Sequence, residues 1–308
     1  LFPYTTLFRS RGVERVVSFA RLVARAATLW IPIYRAKAYR HFGSFFSKVD
    51  GKSIPGGVFN YRGIVSCTLT MSESSSSPGK EKIVVMKDGP YVVSGSVPLV
   101  KENIISEGGI STGWEKGGRY PDRKAYTLCR CGRTSTPPYC DNTHTSIGFD
   151  GTEKADRAPL SERCAVLEGP TLTLYDRKDL CARAGHCQQL TGAWTLVKHS
   201  DEEEKRIAAI GVVNECPAGR LVLRNKKNDE IIEIPAEKEI AVVQHPHKGV
   251  SGPLWVRGGI PIVAADSETY EIRNRVTLCR CGASERKPFC DGSHISINYN
   301  DGDPSLKR

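Results

Sequence analysis

Apolar positions in this 308-residue chain fall mostly in short runs, broken by glycine, proline and charged residues every few positions. Such runs predict β-strands joined by tight turns. One stretch, Gly89–Val100, returns as Gly252–Val263: Gly-Pro opens both, an apolar run follows, and a Pro-containing turn leads to a second short run. Each copy leads on to Thr-Leu-Cys-Arg-Cys-Gly, and the first takes a longer connection, Glu102 to Gly118. Two β-rich units related by an internal repeat are therefore expected, pairing about a pseudo-twofold axis as two subunits of a dimer would.

The pattern between the repeats is different. Thr171–Tyr175 alternates as a strand, and Asp176 is placed to cap a short helix running toward Cys187. Ser200 and Glu203 form a capping-box pattern for a helix over Glu204–Val213. Arg220–Arg224, Ile231–Ile234 and Ile240–Val243 read as further strands. Strand, helix, helix, strand suits a small α+β module. The fold expected is α+β: two small β-rich units forming a pseudo-dimer, with an α+β insert between them.

The amino terminus changes how composition is read. Leu1–Ser10 reads as the translation of a sequencing adapter, and the first methionine is Met71. Residues 1–70 are therefore expected to be a non-native segment, adapter plus upstream read-through. The rival is an organellar transit peptide over 11–48, where Val13, Val16, Val17, Ala20, Val23 and Ala24 share a helical face. Residues 1–70 hold eleven basic and two acidic residues, which is +9 of the formal +10. The remainder is close to neutral, which removes the charge argument for nucleic-acid or membrane-surface binding. No run reaches the roughly 18 apolar residues that span a bilayer. A soluble protein is expected, cytoplasmic, or in an organelle matrix if the transit peptide is real. The boundaries that follow are 71–81 as a disordered serine-rich tail, 82–153 as the first unit, 154–248 as the insert and 249–308 as the second unit.

Chemistry concentrates in one pattern that occurs twice. Cys129, Cys131, Cys140 and His144 have the spacing C-x-C-x8-C-x3-H, and Cys279, Cys281, Cys290 and His294 repeat it, each with a proline two residues before the third cysteine (Pro138, Pro288). Three thiolates and an imidazole at fixed spacing suit a metal site. Cys140 and His144 stand at i and i+4, so in a helical turn they share a face, as do Cys290 and His294. Asp141 and Asp291 can cap the free amides there, and Gly292 and Asn142 tolerate a left-handed backbone. Each site thus offers two pairs of ligands, one pair per iron of a two-iron cluster; a single tetrahedral zinc would also accept Cys3His. A disulfide framework is the weaker reading of these cysteines.

These motifs resemble the CDGSH-type iron–sulfur proteins, the NEET family, whose signature is C-x-C-x2-[S/T]-x3-P-x-C-D-G-[S/A/T]-H. The second copy matches throughout, with Ser284, Pro288 and Cys290-Asp291-Gly292-Ser293-His294. The first matches at Thr134, Pro138, Cys140, Asp141, Thr143 and His144 and departs at Asn142. The resemblance implies a 2Fe–2S cluster at each set of four ligands, compact β-rich dimers, and electron transfer or cluster transfer to protein partners. Here one chain would supply both halves as a monomeric pseudo-dimer. It implies a carrier rather than an enzyme, ranking last an oxidoreductase whose clusters feed a catalytic partner. The alternative from another class is a zinc-stabilised interaction module without redox activity. Because imidazole binds metal only when unprotonated, acid would compete for both histidines below about pH 6.5.

The insert carries a weaker signal: Cys181, Cys187 and a Cys216-Pro217 pair, an arrangement similar to divergent single-cluster ferredoxin modules. Only three cysteines align, with Cys164 or His186 as the fourth candidate for a third iron–sulfur cluster; three buried core cysteines are the alternative. Trp114, Trp194 and Trp255 read as packing residues, and His245-Pro246-His247 as an exposed loop before Gly249. No phosphate loop and no Ser–His–Asp pattern is present in the sequence.

Overall fold

A computed structural model describes residues 81–307. The expectations for residues 1–70 and for the serine-rich stretch up to residue 80 lie outside the described residues.

The first repeat contributes β1 (Lys82–Val85), β2 (Tyr91–Ser94), β3 (Leu99–Glu107), β4 (Ile110–Arg119) and β5 (Ala125–Leu128), followed by a four-residue helix, α1 (Thr143–Ser146). The insert adds β6 (Ala165–Glu168), β7 (Leu172–Asp176), α2 (Ala193–Lys198), α3 (Glu203–Asn214), β8 (Leu221–Asn225) and β9 (Ile231–Ile232). The chain ends with β10 (Glu239–His245), β11 (Val250–Arg257), β12 (Ile262–Val263), β13 (Arg275–Leu278) and the short helix α4 (Ser293–Ser296). Strands dominate and helices are few, so the fold is α+β.

Sheet one runs β12-β1-β2-β5, and sheet two runs β13-β11-β10-β3-β4. Their pairing follows one scheme. In sheet one, β2 is antiparallel to both β1 and β5, and β12 joins β1 in parallel through Ile83–Ile262. In sheet two, β11 is antiparallel to both β10 and β13, and β3 joins β10 in parallel through Ile240–Leu99. The strand after each Gly-Pro segment thus crosses into the sheet of the other half. The long Glu102–Gly118 connection becomes the β3–β4 hairpin, an addition to sheet two alone.

Alternation buries one face of each sheet. Ile83, Val85, Tyr91, Val93, Tyr126 and Leu128 from sheet one meet Leu99, Ile240, Val242, Leu254, Val256 and Leu278 from sheet two in a single core. The outer face of sheet two is covered as well: Ala241, Val243 and Trp255 pack with Ile104, and Trp114 and the insert's Ala184 lie against them. Seven of the eight residues of β11 are consequently buried.

The insert forms its own sheet, β6-β7-β8-β9, with α2 and α3 laid on it through Leu172, Leu174, Leu196, Val197, Val212, Val213, Leu221 and Leu223. Three local readings need correction. Asp176 caps no helix: it ends β7, buried, with its carboxylate on Arg220 at 2.6 Å and on the Trp194 indole at 3.2 Å. The segment toward Cys187 holds only two three-residue 3-10 turns, Lys178–Leu180 and His186–Gln188. Ser200 is not the cap of α3, which starts after Glu202. Its hydroxyl instead accepts the amides of Thr171 and Leu172 at 3.0 and 3.2 Å, tying down the start of β7. Ile240–Val243 is a strand, but it pairs within sheet two rather than in the insert's sheet.

Candidate metal centres

The spacing of each repeated motif is explained by one small turn. After β5 the chain reverses and returns antiparallel, so that Leu128 bridges Tyr139, Cys129 donates its amide to Pro138 O at 2.8 Å, and Cys140 donates to Thr127 O at 3.1 Å. After β13 the same occurs: Leu278 bridges Phe289, Cys279 donates to Pro288 O at 2.8 Å and Cys290 to Thr277 O at 2.9 Å. Eight residues between the second and third cysteines are what this reversal consumes. Thr134 and Ser284 brace it, donating their hydroxyls to Tyr139 O and Phe289 O at 2.8 and 2.7 Å. Pro138 and Pro288 both follow cis peptide bonds.

The third cysteine and the histidine meet across a capped turn rather than along a helix, since α1 and α4 begin three residues after the cysteine. Asp141 accepts the amides of Ser135 (2.7 Å) and Thr143 (3.0 Å), and Asp291 those of Glu285 and Ser293 (both 2.9 Å). The Thr143 and Ser135 hydrogen bonds hold the Asp141 carboxyl well below its usual range. For Asp291 burial works the other way, yet the Ser293 and Glu285 hydrogen bonds still keep it low. Asn142 and Gly292 adopt the left-handed backbone, at φ 69° and 87°. Only the second position demands glycine for space as well, because the Arg183 side chain lies where a Cβ on Gly292 would be, whereas Asn142 is exposed.

In the first site the two pairs are Cys129 Sγ–Cys131 Sγ at 3.7 Å and Cys140 Sγ–His144 Nδ1 at 3.3 Å. The second site has 3.7 and 3.5 Å. Two thiolates at about 2.3 Å from one tetrahedral metal stand about 3.75 Å apart, so each cysteine pair already has the edge of a chelate. Among the described residues no three such side chains converge on one metal position. The short donor contacts in each site are thus one cysteine pair and one Cys–His pair.

The environment of the donors is mostly apolar. Burial pushes the Cys131 thiol up to about 11 and raises Cys140 and Cys290. The thiol hydrogen bond with Cys281 lowers Cys279 against the opposing effect of burial. A metal entering these sites must expel protons. The amides of Gly132, Asn142 and Gly292 point at Cys129, Cys140 and Cys290 sulfur at 3.3, 3.4 and 3.4 Å, ready to stabilise thiolate. The two histidines differ: His144 is partly exposed, while His294 is 4% exposed and held down at about 4 by burial and by nearby Arg280 and His245.

Two residues that carried no role in the sequence analysis emerge here. Arg130 and Arg280, the middle residues of the two C-x-C segments, are 1% and 2% exposed. Arg130 donates to the carbonyls of Met86 and Gly151 and faces the Tyr91 and Phe149 rings. Arg280 is paired with Asp301 and donates to Gly252 O and Val243 O at 2.8 and 3.1 Å. Their signal was the same arginine in both copies. Tyr91 crosses between halves, its hydroxyl donating to Cys279 O at 2.7 Å, with Pro288 O at 3.0 Å.

In the insert, Cys181, Cys187 and Cys216 line one cavity together with His186. Burial, then the neighbouring Cys216, raises Cys187. Cys164 does not line it; its thiol points to Ser161 O. His186 is 1% exposed, stacks on Trp114 at 4.5 Å, and leaves Nε2 without a hydrogen bond. Trp114 also meets Trp255, tilted at 35° with ring centroids 4.6 Å apart. His245 is a correction: it is not in an exposed loop but ends β10, 2% exposed, because the strand carries it inward, and only His247 reaches solvent.

The family described as iron-binding zinc finger, CDGSH type, matches residues 88–145 and 251–295. Between these, residues 167–226 match the family described as divergent 4Fe-4S mono-cluster. No curated protein and no solved structure matches the chain. Among the described residues no helix is long and apolar enough to cross a membrane.

Proposed function

Because the chain is a CDGSH-type iron–sulfur protein with two tandem motifs around a divergent ferredoxin-like insert, we propose that it carries electrons or iron–sulfur clusters for protein partners and is not itself an enzyme. In this reading Cys129, Cys131, Cys140 and His144 hold one 2Fe–2S cluster, and Cys279, Cys281, Cys290 and His294 hold the other. The observation that carries it is the two-by-two arrangement of donors, a cysteine pair at 3.7 Å and a Cys–His pair at 3.3 or 3.5 Å in each site. A single structural zinc would want all four on one centre. The crossed strands and matching sheets support reading the two halves as a pseudo-dimer within one chain.

A third cluster belongs to the insert, with thiols from Cys181, Cys187 and Cys216 and His186 as the fourth donor lining the same cavity. The unpaired, buried His186 Nε2 is a donor in search of a partner. When bound, such clusters supply reversible one-electron chemistry. The protein's residues hold the thiolates, exclude water and set the charge around each centre.

Iron and acid-labile sulfide per chain, with a visible spectrum, test this. About four irons are expected from two 2Fe–2S clusters, and more with the insert filled. Cys181→Ser with Cys216→Ser should lower iron while both CDGSH sites keep theirs. A colourless protein with one zinc per motif would overturn the reading in favour of the zinc-stabilised module.

A further inference from the structure

The insert lies between the two repeats in sequence and could have rested against either site. Its cysteine loop rests on the second. Ala182 and Ala218, close neighbours of Cys181 and Cys216, pack with Cys290 in one buried group, and Cys216 lies against it. Cys181 is close enough to contribute to the charge environment of Cys290, whereas that of Cys140 comes from Cys129 and Asp141. Arg183 lies over Gly292, the middle of the three residues between Cys290 and His294.

This contact is held by hydrogen bonds on both sides. Ser111 of the β3–β4 hairpin donates to Ala184 O at 2.6 Å. Arg275, four residues before Cys279 and 4% exposed, donates to the carbonyls of Val213, Asn214 and Cys216 at 2.8, 3.0 and 2.7 Å and pairs with Glu233 at 2.6 Å. Arg273 adds a bond to Ala218 O at 3.2 Å. A buried arginine spanning several carbonyls fixes the two elements rigidly, since freeing any one of these groups leaves it unsatisfied.

The two CDGSH sites also touch. A Cβ on Gly132 would collide with the Cys281 backbone, and one on Gly282 with that of Cys131. The three candidate centres therefore stand in a row, insert, second site, first site, with each neighbouring pair in contact through the residues that bear the donors.

We propose that the insert and the second Cys3His site form one directly coupled redox pair, and that the first site communicates with the insert only through the second. The proposal rests on the reading that the insert holds a cluster. With both sites filled, one electron would pass from the insert to the second site with no bond or proton moved, supplied by a one-electron donor of the reduced flavin or iron–sulfur class. The partly exposed His144 marks the first site as the end of the row that faces solvent.

Electron paramagnetic resonance of the full chain, loaded with iron and sulfide and reduced with dithionite, tests this. The insert's signal is expected to show magnetic splitting or enhanced relaxation. Cys279→Ser with Cys281→Ser should abolish that interaction, while Cys129→Ser with Cys131→Ser should leave it intact. A potentiometric series on the unsubstituted protein gives the same readout without risk to folding: the interaction should appear only at potentials where both the insert and the second site are paramagnetic. Equal loss on emptying either CDGSH site, or full iron content without interaction, overturns the coupling alone. Iron content unchanged in the Cys181→Ser, Cys216→Ser variant removes the insert's cluster, and the proposal falls with it.

Discussion

At the scale of single residues, the two arginines inside the C-x-C segments are the most consequential buried groups. Arg280 and Asp301 are 2% and 6% exposed as side chains, and Asp301 also accepts from Gln244 and Ser251. Burial alone would raise this carboxyl, but Arg280 and these hydrogen bonds hold it at about 2. A carboxylate whose folded value is depressed contributes stability that is complete above the unfolded value of 3.8 and is lost as pH falls through about 2. That contribution is on the order of 2 kcal/mol. Arg280→Met strands Asp301 and should cost about 3–5 kcal/mol, seen as a lower denaturation midpoint. Pairing it with Asp301→Leu should return most of the loss; a double variant as weak as the single would mean that packing, not the charge, is what Arg280 supplies. Arg280→Met should also lower the potential of the second site, because a positive charge beside Cys279 and Cys281 favours the added electron.

At the scale of elements, the two sites share a turn but not a setting. Sheet two has its outer face covered by the β3–β4 hairpin and the insert, and α4 buries His294, whereas no residue of α1 is buried. Sequence symmetry predicts a single acid release of iron below about pH 6.5. Burial splits it. His294 is held neutral down to about 4, so protons compete for it only near that value. His144 is partly exposed, so solvent reaches the first site more readily and its iron should be lost faster in acid. Iron loss followed by absorbance should therefore come in two phases. His144→Cys should alter the faster phase alone and His294→Cys the slower; one shared phase altered by either variant would contradict the difference in burial.

For the whole molecule, the exchange of strands decides what can fold. Residues 82–153 lack β10, on which β3 is laid, and residues 249–308 lack β1 as well as β10, the partners of β12 and β11. The core that joins them draws on both sheets at once. Either segment expressed alone should stay unfolded by circular dichroism, with a loss of cooperative melting, because half the apolar surface has no counterpart. The two co-expressed, with the insert and β10 on the second piece, should recover a cooperative transition. A folded, iron-binding 82–153 would show that the crossed strands are dispensable.

Much of this protein is determined locally and so is legible in the chain. The repeat and the donor spacing are visible in the chain itself, and the Asp141 and Asp291 caps and the left-handed positions at Asn142 and Gly292 depend on contacts within about ten residues. The α+β class follows from the same short periodicities. What the chain could not disclose depends on residues far apart in sequence. Ser200 has the pattern of a helix cap, yet long-range bonding to β7 claims its hydroxyl. Ile240–Val243 is a strand by composition, but only the location of β3 and β11 makes it part of sheet two. His245 is buried at the inward end of β10, and His294 is buried while His144 is partly exposed, so two motifs of nearly equal sequence acquire unequal environments. Alternation and spacing specify which side of an element is apolar; which surface arrives to cover it is settled by packing across the whole molecule.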